Sequence, residues 1–418
     1  MANSFLTTSK ILREATMLFT NSNMLIRNVD RQYDDEFGKK GEKIGSQLRV
    51  RLPNDYIVTK GPAASVQDTT EQQTVLTLAT QAHIDVSFAT IDLLLNLDDF
   101  SERILKPAMN NLAGQVAVDI MTVMESGQIT LPTGAPAAPL TATTGGACNF
   151  TGASNAWPTA ATFLTAGALL HDNSAPTGAS RKIVLDPTTE ANTISALSGL
   201  FNPQPAISRQ YETGQMKNAL GFDFFMDQTV IKHTNGSFSA GTVNGASQTG
   251  YTITTNAITG TLNVGDVITI AGVNAVNRVT KQTTGSLRQF VVTAAAASGA
   301  TSISIYPAII PPVSGNAVQY QTVTASPANS AAITLLGGAS TTYRKNIAYA
   351  KEAITMVTGD LPLPRGGVDA ARAQYDGISM RMVTQYAVGT DQEISRIDVL
   401  YGALLVRPEW AVAVAAQL

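Results

Sequence analysis

Residues 98–127 read DDFSERILKPAMNNLAGQVAVDIMTVMESG, and the reading of this stretch decides the rest of the chain. Phe100, Ile104, Leu105, Met109, Leu112, Val116, Ile120, Met121 and Met124 recur at three- and four-residue intervals, with Ala108, Ala113 and Ala117 on the same face. That period predicts one long amphipathic α-helix. Asp98, Asp99, Ser101 and Glu102 crowd its start, where carboxylates and hydroxyls satisfy free amides and meet the positive end of the helix dipole. Gly127 is the expected stop. At ~1.5 Å per residue the helix spans roughly 40 Å, long for a compact domain. Pro107 lies inside it, removes one backbone hydrogen bond and predicts a bend.

Outward on the N-terminal side, residues 1–45 read as an arm with a helical piece. Ile11, Leu12, Ala15, Leu18 and Phe19 form one apolar face behind Thr7, Thr8 and Ser9 as candidate caps. Acidic residues (Asp30, Asp34, Asp35, Glu36) and then basic ones (Lys39, Lys40, Lys43) follow, fitting a solvated face or an arm that docks on another chain. Residues 46–90 predict a long hairpin. Gln47 to Leu52 alternates Leu48, Val50 and Leu52 with Arg49 and Arg51, Pro53-Asn54-Asp55 breaks it, and Thr59 to Gln73 is polar. The return strand runs from Thr74 to Phe88. An isolated hairpin of this reach is marginal, so it is expected to lie across a neighbouring subunit.

On the C-terminal side, Leu131 to Asn155 reads as a loop. Thr159 to His171 predicts a helix with Phe163, Leu164 and Leu169 inward, and Lys182 to Leu185 a buried strand stopped by Asp186-Pro187. A second helix opens at Thr188 and Glu190 with Ile194, Leu197 and Leu200 inward, and Phe222 to Ile231 predicts a strand. Composition then shifts: between Thr234 and Thr342 only Asp266, Arg278, Lys281 and Arg288 are charged. Short β-branched runs (Tyr251 to Thr254, Val267 to Ile270, Phe290 to Thr293, Ser302 to Tyr306, Val318 to Val323) alternate with turns at Gly265-Asp266 and Gly285-Ser286. This predicts a small all-β barrel or sandwich inserted as a unit. Charges return at Arg344, Lys345, Lys351 and Glu352, and the stretch from Met380 to Val406 predicts a strand meander packed on the long helix.

The totals narrow the function. A chain of 418 residues has room for two or three cores, and Lys+Arg 28 against Asp+Glu 31 leaves no broad basic surface for duplex binding. The lone Cys148 excludes an intrachain disulfide. No apolar run is long enough to cross a bilayer, and Lys10, Arg13 and Glu14 interrupt any signal-peptide core, so a cytoplasmic site of synthesis is expected. His83, His171 and His233 are widely separated, outside any zinc spacing. There is no Gly-x-Gly, no Gly-x-x-x-x-Gly-Lys-Ser/Thr and no Gly-x-Ser-x-Gly. Arg365-Gly366-Gly367 reads as a turn, Cys148 as a small apolar residue, and Trp157 and Trp410 offer no stacking row. No catalytic, cofactor-binding or metal-binding residue is assigned.

Several stretches carry a resemblance. His83-Ile84-Asp85-Val86-Ser87-Phe88, Asp98-Asp99-Phe100-Ser101-Glu102-Arg103, Lys106-Pro107-Ala108 and Leu112-Ala113 resemble the strand-into-long-helix junction of the P22-type coat proteins of tailed bacteriophages, as does Ile44-Gly45 leading to Val50-Arg51-Leu52-Pro53. Leu220-Gly221-Phe222-Asp223 and His233-Thr234-Asn235-Gly236 resemble the lead into that family's inserted domain, and Gly265-Asp266-Val267 with Ala271-Gly272-Val273 resembles its core. Arg396-Ile397-Asp398-Val399-Leu400-Tyr401-Gly402 and Arg407-Pro408-Glu409-Trp410 resemble its C-terminal end.

The resemblance implies an α+β fold of the Hong Kong ninety-seven capsid type with an inserted all-β barrel-like domain. The implied units are an N-terminal arm (1–45), an extended loop hairpin (46–90), a spine helix and peripheral domain (91–130), an axial domain (131–232), the inserted β domain (233–342) and an axial/peripheral return (343–418). It further implies a major capsid protein, structural rather than catalytic and without cofactors. Hexamers and pentamers of this chain would form an icosahedral shell, with a scaffolding protein and portal as partners, packaged DNA bound weakly and no membrane. The shell would sit in the virion and be made in the host cytoplasm. Lys60 is a cross-link candidate for which the sequence names no partner. The Thr/Gly-rich insert also fits a β-rich tail or surface adhesin protein, which would form fibres or trimers without the long helix.

Overall fold

The computed structural model describes residues 8–31, 47–62, 66–67, 72–89, 101–127, 145–178, 180–197, 218–312, 318–364, 368–387 and 392–418. The expected helix start at Asp98 to Phe100, the run from Asp34 to Lys43, Leu200 and Arg365-Gly366-Gly367 lie outside these residues.

Helices α1 (Thr8–Ser22), α2 (Met24–Asn28) and α3 (Lys106–Ser126) share one core. The apolar face expected on a free arm is instead buried within the same chain. Leu12, Ala15 and Phe19 of α1 join Met109, Val116 and Ile120 of α3, because two apolar stripes of one subunit bury each other without waiting for a neighbour. Asn23 caps α2, its side-chain oxygen accepting from Leu25 N at 2.7 Å and Ile26 N at 3.3 Å. Asp30 N then donates to Ile354 O at 3.1 Å, so residues 8–30 are built into the body and do not dock outside it.

A π-helical turn, Ser101–Leu105, runs directly into α3, and Pro107 falls in the first turn of that α-helix. A π turn reaches five residues back instead of four, so the register shift occurs immediately before the residue that has no N–H to give. The bend expected near Pro107 remains an expectation; what is seen is a change of helical register just before it, with the helix continuing through Pro107. Gly127 ends the helix at φ 70°, its N–H donating to Val123 O at 2.8 Å. Toward that end α3 is buried all round from Asp119 to Met124. Asp119 accepts the hydroxyl of buried Tyr401. Burial pushes the Asp119 carboxyl above its ordinary value, opposed by the bonds from Tyr401 and Gln115. A carboxyl that holds its proton more tightly folded than unfolded subtracts stability as pH rises from 3.8 through its folded value. Asp119→Asn should therefore raise the melting temperature at pH 7, with the gain shrinking toward pH 4 in thermal melts at both values.

Strands β1 (Gln47–Leu52) and β2 (Gln72–Thr77) form the expected antiparallel hairpin, in register from Gln47↔Thr77 to Leu52↔Gln72. The single return strand expected over Thr74 to Phe88 breaks at Leu78-Ala79. Beyond it β3 (Thr80–Ala89) leaves the hairpin and pairs with residues 392–401. The base of the hairpin does have something to pack on: Val50 and Leu76 are buried with Val357, Leu404 and Val406. Gly402 allows the close approach, since a Cβ there would lie 2.2 Å from Thr77 O. Gly402→Ala should displace the hairpin base at a cost of about 1–3 kcal/mol in urea unfolding and expose the Leu78-Ala79 link to protease.

The larger body sheet begins inside the stretch expected as a loop, at β4 (Asn149–Gly152), where Phe150 packs edge-on to Tyr343 with ring centroids 5.8 Å apart. Helix α4 (Ala160–Asp172) starts at Thr159, whose backbone N–H and side chain bond the Thr162 side chain. Its buried face is Phe163, Ala166 and Leu170; Leu164, expected inward, is exposed because it is turned about 100° from Phe163. Strand β5 (Arg181–Leu185) is followed by helix α5 (Pro187–Leu197), with Pro187 where a missing N–H costs least. The strand expected over Phe222 to Ile231 is shorter: β6 (Asn218–Ala219) turns into β7 (Phe222–Met226), and β8 (Lys232–Thr234) is separate.

The insert folds as β9 (Gly250–Thr254), β10 (Val267–Val276), β11 (Thr283–Val292), β12 (Ser302–Ile309) and β13 (Ile333–Leu335), in sheet order β13-β10-β11-β12-β9. Val318 to Val323, expected as a strand, is a 3₁₀ turn at Val318–Tyr320 followed by one bridge from Val323 to Ala275. Residues 240–243 join the two sheet edges, with Thr242 bridging Ala332 and Val243 bridging Thr255. The sheet thereby closes into a barrel around Phe290, Ile268, Ile303 and Val243.

The chain re-enters the body through β14 (Thr342–Ala350), β15 (Ile354–Gly359), β16 (Asp369–Tyr375), β17 (Ile378–Ala387), β18 (Gln392–Leu405) and β19 (Ala411–Ala416). Strand β14 carries the larger body sheet β4-β19-β14-β5-β7-β6 and also pairs with β8, so the insert leaves at Thr234 and returns beside it at Thr342. Strand β18 carries a second sheet, taking β3, β17 and β15 as partners. Its Ile397, Val399, Tyr401 and Leu405 share the core of α3, as the expected meander on the long helix requires.

Candidate functional site

Four places carry polar groups whose arrangement needs explaining. The first is the junction of α3, the insert and the larger body sheet. His233 in the middle of β8 faces Glu125 Oε1 through Nδ1 at 2.5 Å and Asp266 Oδ1 through Nε2 at 2.8 Å. The other oxygen of Asp266 accepts Gly236 N at 3.1 Å and Asn263 N at 2.8 Å, so this fully buried carboxylate is satisfied on both sides. Lys345 of β14, also fully buried, donates to Glu125 O at 3.1 Å and Gly265 O at 3.0 Å, placing a cation at the negative end of α3. Burial pulls the Lys345 amine below its ordinary value, and the charges of Glu125 and Asp266 counter that.

The second place is the seam between β3 and β18. Asp85 and Arg396 sit opposite in register and form a forked pair at 2.6 and 2.8 Å. That bond first, and the charge of Arg396 as well, holds the Asp85 carboxyl below its ordinary value against a burial effect of opposite sign. Next to it the fully buried Asp398 takes Arg381 through both oxygens, at 3.1 and 2.5 Å, and Gln81 at 2.8 Å.

The third is the contact of hairpin with insert: Arg278 Nε donates to Asp55 Oδ2 at 2.8 Å and the Tyr320 hydroxyl to Asn54 Oδ1 at 3.1 Å. The fourth is the reaching end of the hairpin, where Tyr56, Val58, Lys60 and Val66 are exposed and Gln67 ties the two sides by accepting Ile57 N at 2.9 Å.

None of these is a reactive constellation. Cys148 is buried with its thiol pushed far up, chiefly by burial. No group of three or more His, Cys, Asp or Glu among the described residues is arranged to hold a metal ion. His83, His171 and His233 are not brought together. In the sequence Asp266 reads as turn punctuation and Lys345 as one of the charges that return after the insert, while Glu125 carries no signal. The available signal was charge scarcity: Asp266, Arg278 and Arg288 are among the insert's few charges, and each bonds a residue outside the barrel sheet, His233, Asp55 and Asn173 respectively. A charge kept in so apolar a module marks where it docks.

Compared with known proteins, residues 1–415 match the family model described as P22 coat protein, gene protein 5. No curated protein matches the sequence. Among solved structures, the chain is similar to the CUS-3 coat protein I-domain at 36% identity, over 24% of this chain and 96% of that one, with a TM-score of 0.19. It is also similar to a structure from Mycobacterium phage Che8 (10% identity, 93% and 90% covered, TM-score 0.43) and to the capsid of Ralstonia phage GP4 (9% identity, 100% and 93% covered, TM-score 0.43).

Proposed function

The chain belongs to the P22 coat protein family, and from that premise we propose how its parts build a shell. It is a major capsid protein with a structural role in a bacteriophage virion, and the match over residues 1–415 is the observation that carries this reading. Copies of the chain associate as hexamers and pentamers that close into an icosahedral shell, and no chemistry is asked of it. The working units keep the boundaries 1–45, 46–90, 91–130, 131–232, 233–342 and 343–418, except that residues 8–31 and strand β3 belong to the body. Helix α3 is the strut on which both sheets are mounted. The hairpin end reaches over a neighbour, which its exposed Tyr56, Val58 and Val66 support. The insert braces the axial sheet through the His233–Asp266 junction and the hairpin through Arg278.

A scaffolding protein and a portal guide assembly in the host cytoplasm. Contacts with packaged DNA are few and salt-sensitive, consistent with 28 basic against 31 acidic residues. Sedimentation of the purified chain tests the reading. Species of many copies are expected, and a strictly monomeric, stable chain at high concentration would sink it.

A further inference from the structure

A cavity lies where the hairpin, the insert and the C-terminal body meet. Its volume is about 80 Å³, room for two or three waters at ~30 Å³ each and hence for one carboxylate- or phosphate-sized group. Asp55, Arg278, Arg288, Tyr306 and Glu409 all line it.

Both acids are already engaged, Asp55 by Arg278 at 2.8 Å and Glu409 by the Tyr306 hydroxyl at 3.0 Å. Arg288 is not. Only 6% of it is exposed, its Nη1 donates to Asn173 Oδ1 at 3.0 Å, and its Nε–H has no hydrogen-bond partner among the described residues. Arg407 stands close by over the Trp410 ring at 4.6 Å, and after burial the charge of Arg278 is the largest influence lowering its pKa. The lining therefore holds two guanidinium groups and two carboxylates, and what is left unmet is one buried donor, the Arg288 Nε–H. A buried charged donor without an acceptor is costly. The group that relieves it is an oxyanion taking Nε–H and Nη–H as a fork.

We propose that this cavity is a binding site for a small oxyanion of carboxylate or phosphate size, with Arg288 as the fork and Arg278 as the second cation. A bound oxyanion bridges Arg278 and Arg288 where the insert meets the hairpin and the C-terminal body, so it stabilises the insert at that contact.

Inorganic phosphate is the probe, titrated into the full-length chain against sodium chloride at equal ionic strength and constant pH, with the melting temperature as readout. The wild type should show a saturable rise with phosphate beyond that with chloride. Arg288→Lys keeps the charge and loses the fork, and should weaken the apparent phosphate affinity by at least about tenfold. Because Arg288 is buried, the more exposed Arg278→Gln serves as a second variant and should weaken it as well. Identical phosphate and chloride curves for the wild type would overturn the proposal. So would an unchanged phosphate response in whichever of the two variants keeps the wild-type circular dichroism spectrum.

Discussion

Asp266→Ala should cost about 3–5 kcal/mol of unfolding free energy, the range for removing one partner of a buried, hydrogen-bonded charge pair. The loss is large because three donors lose their acceptor at once: His233 Nε2 and the backbone amides of Gly236 and Asn263. Lys345, whose charge Asp266 helps to offset, is left with Glu125 and two carbonyls inside the core. Urea unfolding followed by tryptophan emission reads the effect, with Asp266→Asn as the milder companion that keeps an acceptor oxygen for the amides. A change under about 1 kcal/mol, the size of an ordinary surface substitution, would mean the junction does not hold insert to body.

Replacing Tyr56 to Gln67 with a short glycine-rich turn should have the opposite profile, leaving the subunit folded and abolishing assembly. The segment contributes little to its own subunit, with Val58 86% and Val66 91% exposed. The anchors below it remain: Val50 and Leu76 in the core, and the Asp55–Arg278 pair. The melting temperature should move by no more than a few degrees, about what a 1 kcal/mol change gives in a chain of this size, while sedimentation shows no large species. Normal shells from the truncated chain would refute a role for the hairpin across subunits.

Much of the fold is legible because its signals are local. The three-and-four spacing from Ile104 to Met124, the glycine at 127, the alternation from Leu48 to Leu52 and the scarcity of charge between Thr234 and Thr342 each follow from one stretch of chain. What depends on pairing partners is not legible. Nothing in Thr74 to Phe88 reveals that its second half prefers residues 392–401 over the hairpin. Nor do residues 240–243 announce that they stitch β9 to β13 and close the barrel. The apolar face of Leu12, Ala15 and Phe19 is plain in the sequence, but its partner within the same subunit is not. The stretches that carried the family resemblance do meet in space. His83, Ile84 and Asp85 pair with Asp398, Ile397 and Arg396, and His233 reaches Asp266, so motifs weak one by one are contacts in the folded chain.

As the wall material of a shell, this chain should assemble into closed particles. Negative-stain imaging of the purified, assembled protein tests it most directly. Closed particles of uniform diameter built from many copies of the chain are expected, and fibres, trimers or dispersed single subunits would contradict a shell-forming role.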